Sequence, residues 1–359
     1  MQNVNKSVGI TTTVPVEVMI AAGYTPIDLN NIFISDEHPE RLVRTAERAG
    51  FPLNTCAWIK GIYAVVLERG IDAVLGVTTG DCSNTAMLME VLGTRGVKTI
   101  PFPYPDHPDT ALMQAALERL ADDMGTTTAE AERVKEALSP ARNAVHELDR
   151  LTWQENTISG FENHYWLVSG SDFNRDTEKY QSDIETLIAE AKKRPAYPAS
   201  ELRLGYIGVP SVYGRELYPF LEQNGARVVY NEIQRQFAMP EHGRPLAEQY
   251  TRYTYPYDIV GRIRDIKSEI EKRSIDGIIH YVQAFCHRAI GDIVLRQRLG
   301  VPVLTIEGNA EFGLTQHLKT RLEAFVDMLA QLKQRARQDS SGDAPVNGEM
   351  PASPHLRGK

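Results

Sequence analysis

Residues 69–100 read RGIDAVLGVTTGDCSNTAMLMEVLGTRGVKTI, and residues 273–304 read RSIDGIIHYVQAFCHRAIGDIVLRQRLGVPVL. The two stretches align without a gap, and the alignment places Cys82 opposite Cys286. Each copy begins with an apolar run that is typical of a buried parallel strand, and it continues through a polar turn into a helical stretch that ends near a glycine. The repeat therefore predicts an α/β fold with two similar halves.

Both cysteines follow the predicted strand directly, at the point where the helix begins. In doubly wound α/β proteins the carboxyl ends of the strands form the ligand crevice. Helix N-termini in that crevice favour negative charge, which stabilises a thiolate over a thiol. We therefore expect Cys82 and Cys286 to lie at binding positions.

The pattern of the whole chain predicts two parallel-sheet domains of the Rossmann or flavodoxin type, joined by helices. We divide it into an N-terminal α/β domain over residues 1–109, a helical linking segment over 110–200, a C-terminal α/β domain over 201–337 and a disordered tail over 338–359. Within the domains we expect helices over residues 15–22, 40–49, 214–224 and 314–332, and strands over residues 25–29, 204–209 and 227–230.

The composition is that of a globular protein with room for two cores. The chain has 359 residues, of which 42% are hydrophobic, and a net charge of −8. This charge argues against nucleic-acid binding, which draws on clustered basic residues. The sequence contains no apolar run of membrane-spanning length and no signal-peptide pattern, so we expect a cytoplasmic protein without membrane contact. Three widely spaced cysteines are a poor disulfide framework.

Cys56 breaks the symmetry of the halves, because the equivalent position in the second half falls near Val260. Two cysteines thus belong to the first domain and one to the second, and they can converge if the domains face each other across a cleft. Three thiolates suit a 4Fe-4S cluster that keeps one iron open for a substrate oxygen. They suit structural zinc less, since structural zinc takes four protein ligands. A disulfide beside a spare thiol, or three small buried side chains without a function, are the remaining interpretations.

Five short motifs carry a family resemblance. They are CAWIKG at Cys56, GDCSNT at Cys82, QAFCHR at Cys286, PVLTIEGN at residues 302–309 and LKTRLEAFVDML at residues 318–329. In their order and spacing, from about Thr13 to Leu332, they resemble the 2-hydroxyacyl-CoA dehydratase and benzoyl-CoA reductase family.

The resemblance implies that Cys56, Cys82 and Cys286 ligate one 4Fe-4S cluster per chain in the cleft between the two domains. It also implies an acyl-CoA substrate, a related second subunit or a homodimer, and a separate ATP-dependent iron-sulfur activator protein that injects a single electron. In the dehydratases the electron passes to the thioester carbonyl of an (R)-2-hydroxyacyl-CoA, and the resulting ketyl radical expels the neighbouring hydroxyl. We therefore expect a lyase component of this kind.

Some residues depart from the family pattern and bear on the substrate. His287 and Arg288 follow the third cysteine, where better-known members have an acidic residue and a proline, and Asn309 stands where an acidic residue is common. Two alternatives therefore stay open. One is an ATP-coupled reductase of this family that acts on benzoyl-CoA or another small molecule, and the other is a non-catalytic protein that holds the cluster and transfers electrons.

Three residues are candidate catalytic groups. Glu307 lies at the end of an apolar strand and can serve as a fourth cluster ligand or a base, while Glu162 and His164 lie in a segment dense in polar and aromatic side chains. Asn163 and Ser169 of the same segment are candidates to line the cleft. The alternative for this segment is that its polar residues cap helices at the domain junction.

Three residues beside the cysteines are candidates to donate hydrogen bonds to cluster sulfurs. They are Ser83, Asn84 and His287. Such bonds raise the potential of a cluster, and the alternative role for these side chains is helix capping or plain solvation. Lys60 is a candidate to contact a CoA phosphate, with a solvent-exposed position as its alternative.

Overall fold

The structure is a computed structural model that describes residues 6–341, and it contains two parallel four-stranded sheets. The strands of the first sheet are Lys6–Ile10 (β1), Tyr24–Asp28 (β2), Ala73–Thr79 (β3) and Lys98–Pro103 (β4). Those of the second sheet are Leu202–Ile207 (β5), Ala226–Asn231 (β6), Gly277–Gln283 (β7) and Val303–Gly308 (β8). The strand orders are β2-β1-β3-β4 and β6-β5-β7-β8. The predicted fold class, two similar parallel α/β units with helices between them, is confirmed.

Helices cover and join the sheets. Those before and within the first sheet are Val16–Ala21 (α1), Leu29–Ser35 (α2), Pro39–Arg48 (α3), Ala57–Arg69 (α4) and Ser83–Thr94 (α5). Between the sheets lie Thr110–Met124 (α6), Thr128–Arg150 (α7), Gly160–Val168 (α8) and Thr177–Ala191 (α9). The second half holds Gly214–Gln223 (α10), Glu232–Phe237 (α11), Leu246–Thr251 (α12), Ile259–Arg273 (α13), Asp292–Arg298 (α14) and Gln316–Ser341 (α15).

The sequence repeat corresponds to the same topological position in each sheet. β3 and β7 begin at the aligned residues Ala73 and Gly277, and each is the third strand of its sheet. β1 and β3 are neighbours at the centre of the first sheet. The chain continues from β1 to β2 at one edge and from β3 to β4 at the other, and β5 and β7 are arranged in the same way in the second sheet. A crevice opens at the carboxyl ends of such strand pairs. The fold therefore provides two crevices of the same kind.

The first sheet is covered by apolar side chains on both faces. Leu75 and Val77 of β3 belong to a core that also contains Leu148 of α7. Val74, which the pleat turns to the other face, packs in a second core with Val66 of α4. The second sheet is likewise covered on both faces. This double burial explains why the strands read as continuous apolar runs.

Two buried arginines fasten the helices that join the sheets to the second sheet. Arg227 of β6 donates from Nη1 to the carbonyl oxygens of Thr152, at 2.7 Å, and Ile158, at 2.9 Å. Arg273 of α13 pairs with Asp149 of α7 at 2.6 Å. Both arginines are at most 1% exposed, so loss of a partner would leave a buried charge uncompensated. These contacts fix the helices against the second sheet.

The chain of the second half also packs back onto the first half. Tyr250 of α12 donates from its hydroxyl to Glu17 Oε2, at 2.7 Å, and to the carbonyl oxygen of Val14, at 3.0 Å. Tyr253 and Tyr255, which follow α12, lie in the core that covers the first sheet. The two halves are therefore joined directly as well as through the intervening helices.

The structure adds elements that the sequence analysis did not predict. The strands β1 and β4 and the helices α11, α12 and α13 are examples, and the final helix continues to Ser341. Residues 338–341 of the predicted disordered tail are therefore helical, and the rest of that tail lies outside the described residues. The division into four segments stays a prediction. Among residues 6–341, no helix combines the length and the apolar character needed to cross a membrane.

Candidate functional site

A cavity of about 880 Å³ is lined by residues of both halves, within the size range of small-molecule sites. Thr11 and Thr12, which follow β1, lie on one side, and Ser211, after β5, lies on the other. The lining also includes the three cysteines, Cys56, Cys82 and Cys286. The sequence prediction that the two halves bring these cysteines to one cleft therefore agrees with the geometry of the cavity.

Cys56 immediately precedes α4 and is 8% exposed. The first two turns of α4 are buried at Ile59 and Ile62, so the start of the helix lies in the interior. Burial raises the pKa of the Cys56 thiol to about 12, while backbone hydrogen bonds from Ile59 and Trp58 act in the opposite direction. Cys56 is therefore a thiol in the free protein.

Cys82 occupies the N-cap position of α5, after a tight turn that leaves β3, and its side chain forms no capping hydrogen bond. Gly80 in this turn has φ +94°, a conformation that favours glycine, and a Cβ at this position would lie 3.0 Å from Tyr104 Cβ. Burial, followed by the charge of Asp81, raises the pKa of the Cys82 thiol. Backbone hydrogen bonds from Asn84 and Thr85 lower that pKa.

Cys286 immediately precedes a 3₁₀ turn, His287–Gly291, in the loop that leaves β7. The residue before it, Phe285, has φ +64°, so this loop also turns through the left-handed region. Arg288 donates from Nη2 to the carbonyl oxygen of Gly80 at 2.7 Å, and its guanidinium carbon lies 4.4 Å from the centroid of the Tyr255 ring. The loop of the second half is thus fastened to the loop of the first.

The expected stabilisation of a thiolate at a helix N-terminus is wrong for Cys82 in the free protein. Backbone N–H groups favour the Cys82 anion as predicted, but burial has the larger effect and raises the pKa of this thiol, as it does for Cys56. All three cysteines are free, so the structure does not contain the disulfide that one of the interpretations required. Among residues 6–341, no three His, Cys, Asp or Glu side chains lie close enough together to hold a single metal ion.

Two buried N–H donors lie close in sequence to these cysteines. Trp58 Nε1 and Arg288 Nε are both inaccessible to solvent, and neither has an acceptor within the described part of the chain. Trp58 lines the large cavity, and Arg288 lines a small adjoining one. Buried donors of this kind are normally satisfied. Each follows a cysteine by two residues, so an acceptor bound between the cysteines would lie near both.

Comparison with known families decides the classification. The family model described as 2-hydroxyglutaryl-CoA dehydratase, D-component, matches residues 11–329. The chain belongs to this family. The match includes all three cysteines and every strand of the two sheets except β1, which ends one residue before it. The chain is therefore a component of this dehydratase family, and the enzymes of the family have several subunits.

Other comparisons add no argument about this dehydratase-family chain. No curated protein matches it. Among solved structures, the laminin-binding protein Lbp of Streptococcus pyogenes aligns with 91% of this chain and 98% of its own, at 11% sequence identity and a TM-score of 0.18. A similarity at this level does not support an inference about fold or function.

His164 and Ser169 are the predicted polar residues of the segment after α7 that line the cavity of this family member. Gln234 Nε2 lies 2.9 Å from His164 Nδ1, and with this amide as the donor the imidazole hydrogen lies on Nε2. Burial lowers the pKa of His164 to about 4. The imidazole is therefore neutral near pH 7 and offers an N–H group.

Glu162 and Asn163 do not line the cavity. Glu162 completes a capping box with Ser159 at the start of α8 and pairs with Arg194 at 2.9 Å. Asn163 is fully buried and donates to Asp149 Oδ1 at 2.9 Å. The contacts of both residues therefore match the alternative role, in which they cap helices and pack the domain junction.

Several other candidates lie away from the cavity lining. Ser83, His287 and Glu307 are exposed, and none of them lines the cavity. Asn84 contributes to the Cys82 environment through its backbone. Lys60 is 2% exposed and pairs with Glu47 at 2.6 Å, so it neither stands in solvent nor is available to a CoA phosphate.

A pair of buried acids that was not predicted from the sequence lies beside the cavity. Asp28 ends β2 and lines the cavity, and Asp172 lies behind it. Ser171 Oγ donates to Asp28 Oδ2 at 2.6 Å, and the backbone N–H of Asp28 donates to Asp172 Oδ2 at 2.8 Å. The position of Asp28 at the carboxyl end of a parallel strand is the sequence signal that would have found it.

The outer part of the cavity is predominantly acidic. Asp36 and Glu37 contribute carboxylates from the turn between α2 and α3, Glu40 contributes one from the first turn of α3, and Glu216 contributes one from α10. Arg215 is the basic side chain in the lining. Asp36 pairs with Arg41 at 3.5 Å and with Arg69 at 3.8 Å, whereas Glu37 and Glu216 form no ion pair within residues 6–341. The two carboxylates without an ion pair disfavour a polyphosphate group at this end.

Proposed function

We propose that this chain is the iron-sulfur subunit of a 2-hydroxyacyl-CoA dehydratase-like enzyme, a lyase that removes water from an (R)-2-hydroxyacyl-CoA. The observation that carries the proposal is the meeting of Cys56, Cys82 and Cys286 at one cavity in a member of this family. In the proposal these cysteines hold a 4Fe-4S cluster that supplies one electron to the thioester carbonyl, so that a ketyl radical expels the hydroxyl.

The donor set supports a cluster more than a single ion. A 4Fe-4S cluster takes its protein ligands on separate irons, so its cysteines come from separate positions around it. Here the three thiols begin three different helical turns around a cavity that has room for a cluster and a substrate. Trp58 Nε1 and Arg288 Nε would find acceptors in the anionic sulfur of such a group.

The protein's own contribution would be to exclude water and to orient the substrate. Trp58, Phe161 and Phe312 give the cavity an aromatic wall. In the proposal His164 donates from Nε2 to a substrate oxygen, because its pKa of about 4 keeps it neutral at pH 7. Backbone hydrogen bonds to the Cys56 and Cys82 sulfurs would raise the cluster potential.

The partners in the proposal are an ATP-dependent iron-sulfur activator protein and a related subunit or second copy. Phe285, Ile290 and Ile293 belong to the segment after β7 that contains Cys286, and they are 55%, 72% and 63% exposed. Apolar side chains in such a position suit a protein contact. We assign this patch to the activator, because an electron donor must come close to the cluster.

The first experiment is anaerobic purification with iron, sulfide and EPR measurement. We expect four irons per chain, and we expect Cys56→Ser, Cys82→Ser and Cys286→Ser each to lower the iron content strongly. Ser83→Ala, next to Cys82 but exposed, is the matched control and keeps its iron. A wild-type protein that stays colourless and metal-free after anaerobic reconstitution contradicts the proposal.

Turnover separates the catalytic proposal from simple electron transfer. With the activator, ATP and a strong reductant, we expect formation of an enoyl-CoA from an (R)-2-hydroxyacyl-CoA. Ile290→Glu should abolish activator-dependent turnover and leave the iron content unchanged. Reduction and reoxidation of the cluster without any effect of acyl-CoA on its EPR signal would instead favour the non-catalytic electron-transfer function.

The acidic outer cavity favours a second candidate, an ATP-coupled reductase of this family that acts on a small molecule without a nucleotide. Glu37 and Glu216, which form no ion pair within the described residues, would repel the phosphates of CoA. Comparing an acyl-CoA with the corresponding acyl-pantetheine, which lacks those phosphates, distinguishes the two. Equal or better use of acyl-pantetheine supports the second candidate, and a strong preference for acyl-CoA supports the first.

A further inference from the structure

Asp28 and Asp172 form a pair of buried carboxyl groups at the wall of the cavity. Asp28 is 2% exposed and Asp172 is 6% exposed. Asp28 Oδ2 accepts from the Ser171 hydroxyl at 2.6 Å, and Asp172 Oδ2 accepts from the backbone N–H of Asp28 at 2.8 Å. Only Asp28 of the pair lines the cavity. The pair therefore has one member that faces the ligand space and one behind it.

Little positive charge compensates this pair. Within residues 6–341, neither carboxylate forms an ion pair, and the charged or titratable groups that act on Asp172 are Asp28 and Arg175, with Tyr180 nearby. Burial, followed by the charge of Asp28, raises the pKa of Asp172 to about 7, and burial also raises the pKa of Asp28. Two acids in such a site titrate as a unit.

We propose that Asp28 exchanges a proton with the substrate in the cavity and that Ser171 and Asp172 set the protonation state of Asp28. The inference rests on the proposed dehydration and assigns its acid and base to residues of this chain. In the proposal one carboxyl group of the pair is protonated and the other ionised, so the pair offers an acid and a base at the same time.

The proton balance of the reaction fits such a pair. The C–O bond of the substrate breaks and the departing hydroxide takes the proton of the pair, which forms water. The pair then accepts a proton from the neighbouring β-carbon as the C=C bond forms, and this restores its starting state. The single electron that the activator supplies returns at the end of the cycle, so the substrate loses only water.

Helix capping is the competing role of these residues. Asp28 Oδ1 accepts from the backbone N–H of Asn30 at 2.9 Å, and Asp172 Oδ1 accepts from that of Asn174 at 3.0 Å. Asparagine is as good an N-cap as aspartate, because its amide oxygen accepts the same bonds. Asp28→Asn and Asp172→Asn therefore keep the caps and remove the exchangeable proton.

The test measures turnover, iron content and the EPR signal of the holoenzyme. We expect Asp28→Asn to lower kcat at least about 100-fold with an unchanged EPR signal and little change in KM. Asp109→Asn, at the N-cap of α6, is the matched control and keeps wild-type kcat. An Asp28→Asn enzyme within about threefold of wild-type kcat overturns this inference and leaves the proposed function standing.

A second measurement does not depend on turnover. In the infrared spectrum of the chain, titrated from pH 5 to 9, the carbonyl band of a protonated buried carboxyl should disappear near pH 7, and Asp172→Asn should lack this transition. A spectrum without the transition in wild type overturns the inference. If wild type has the transition but never dehydrates a 2-hydroxyacyl-CoA, the proposed function fails, and with it the role of Asp28 in dehydration.

Discussion

Arg288 donates from Nη2 to the carbonyl oxygen of Gly80 at 2.7 Å, so the loop after Cys286 is bonded to the loop before Cys82. These loops belong to different sheets and come from aligned positions of the sequence repeat. The guanidinium carbon also lies 4.4 Å from the centroid of the Tyr255 ring. The Arg288 side chain therefore helps to fix the relative position of the two cysteines.

Replacing Arg288 should weaken cluster binding without unfolding the chain. Lysine keeps the charge but loses the planar donor set that reaches Gly80 while it stacks on Tyr255. We expect Arg288→Lys to hold less iron than wild type after the same anaerobic reconstitution. Arg296→Lys is the control, because Arg296 is 56% exposed and forms only a 3.9 Å ion pair with Asp292. Equal iron in both variants would contradict this role.

Gly80→Ala should destabilise the protein more than a glycine substitution in an open turn. Both Gly80 and Gly23 have positive φ, at +94° and +78°, so alanine is strained at either position. A Cβ on Gly80 also meets Tyr104 and Pro256 at 3.0 and 3.1 Å, whereas Gly23 has open space. Denaturant unfolding should show a loss of about 1–2 kcal/mol for Gly23→Ala and a clearly larger loss for Gly80→Ala.

Stability should fall as the pH rises from about 4 to about 7. The folded pKa of Asp172, about 7, lies above the ordinary value of 3.8 for an aspartate, so the folded state binds more protons in this window. The stability that protonation contributes is complete below pH 3.8 and lost as the pH passes 7. Thermal unfolding between pH 4 and 8 measures the slope. Asp172→Asn should flatten it, and a slope identical to wild type would contradict the assignment.

His164 should stay neutral throughout the physiological range. Burial lowers its pKa to about 4, so its imidazole carbon resonances should not shift between pH 6 and 8. Comparison with His164→Gln assigns the resonances by NMR. A shift in that range would show that the histidine is accessible to protons, and its role as a neutral N–H donor would then be wrong.

Lys60→Met should lower stability without affecting substrate binding. The lysine ammonium donates to Glu47 at 2.6 Å and to the carbonyl oxygen of Leu53 at 3.0 Å. Loss of these charge-assisted bonds should reduce the free energy of unfolding by about 1–3 kcal/mol. KM for an acyl-CoA should stay at the wild-type value. A large increase in KM at unchanged stability would restore the predicted contact with a CoA phosphate.

The repeat made the cysteines and the central strands predictable. β3 and β7 are apolar runs buried on both faces, and a gap-free alignment is enough to equate Cys82 with Cys286. β1 was missed because it has only five residues, two of them exposed and one a glycine. Short strands of this kind depend on neighbouring strands rather than on their own pattern.

The acid pair and the arginine contact were not predictable in the same way. Asp28 and Asp172 lie 144 positions apart in the sequence, and 208 positions separate Arg288 from Gly80. Such contacts depend on how the joining helices orient the two sheets. The local periodicity of the sequence does not indicate that orientation. Glu307 illustrates the opposite error, because its strand was predicted but its side chain is exposed.

The cavity draws residues from nearly the whole chain, from Thr11 to Gly313. During synthesis the ribosome has therefore completed most of the 359 residues before the pocket has all of its walls. Cys56 and Cys82 leave the ribosome long before Cys286, so the cavity that all three cysteines line is incomplete until then. Loading of any group that needs all three sulfurs therefore has to wait until most of the chain has been made and Cys286 has joined the other two cysteines.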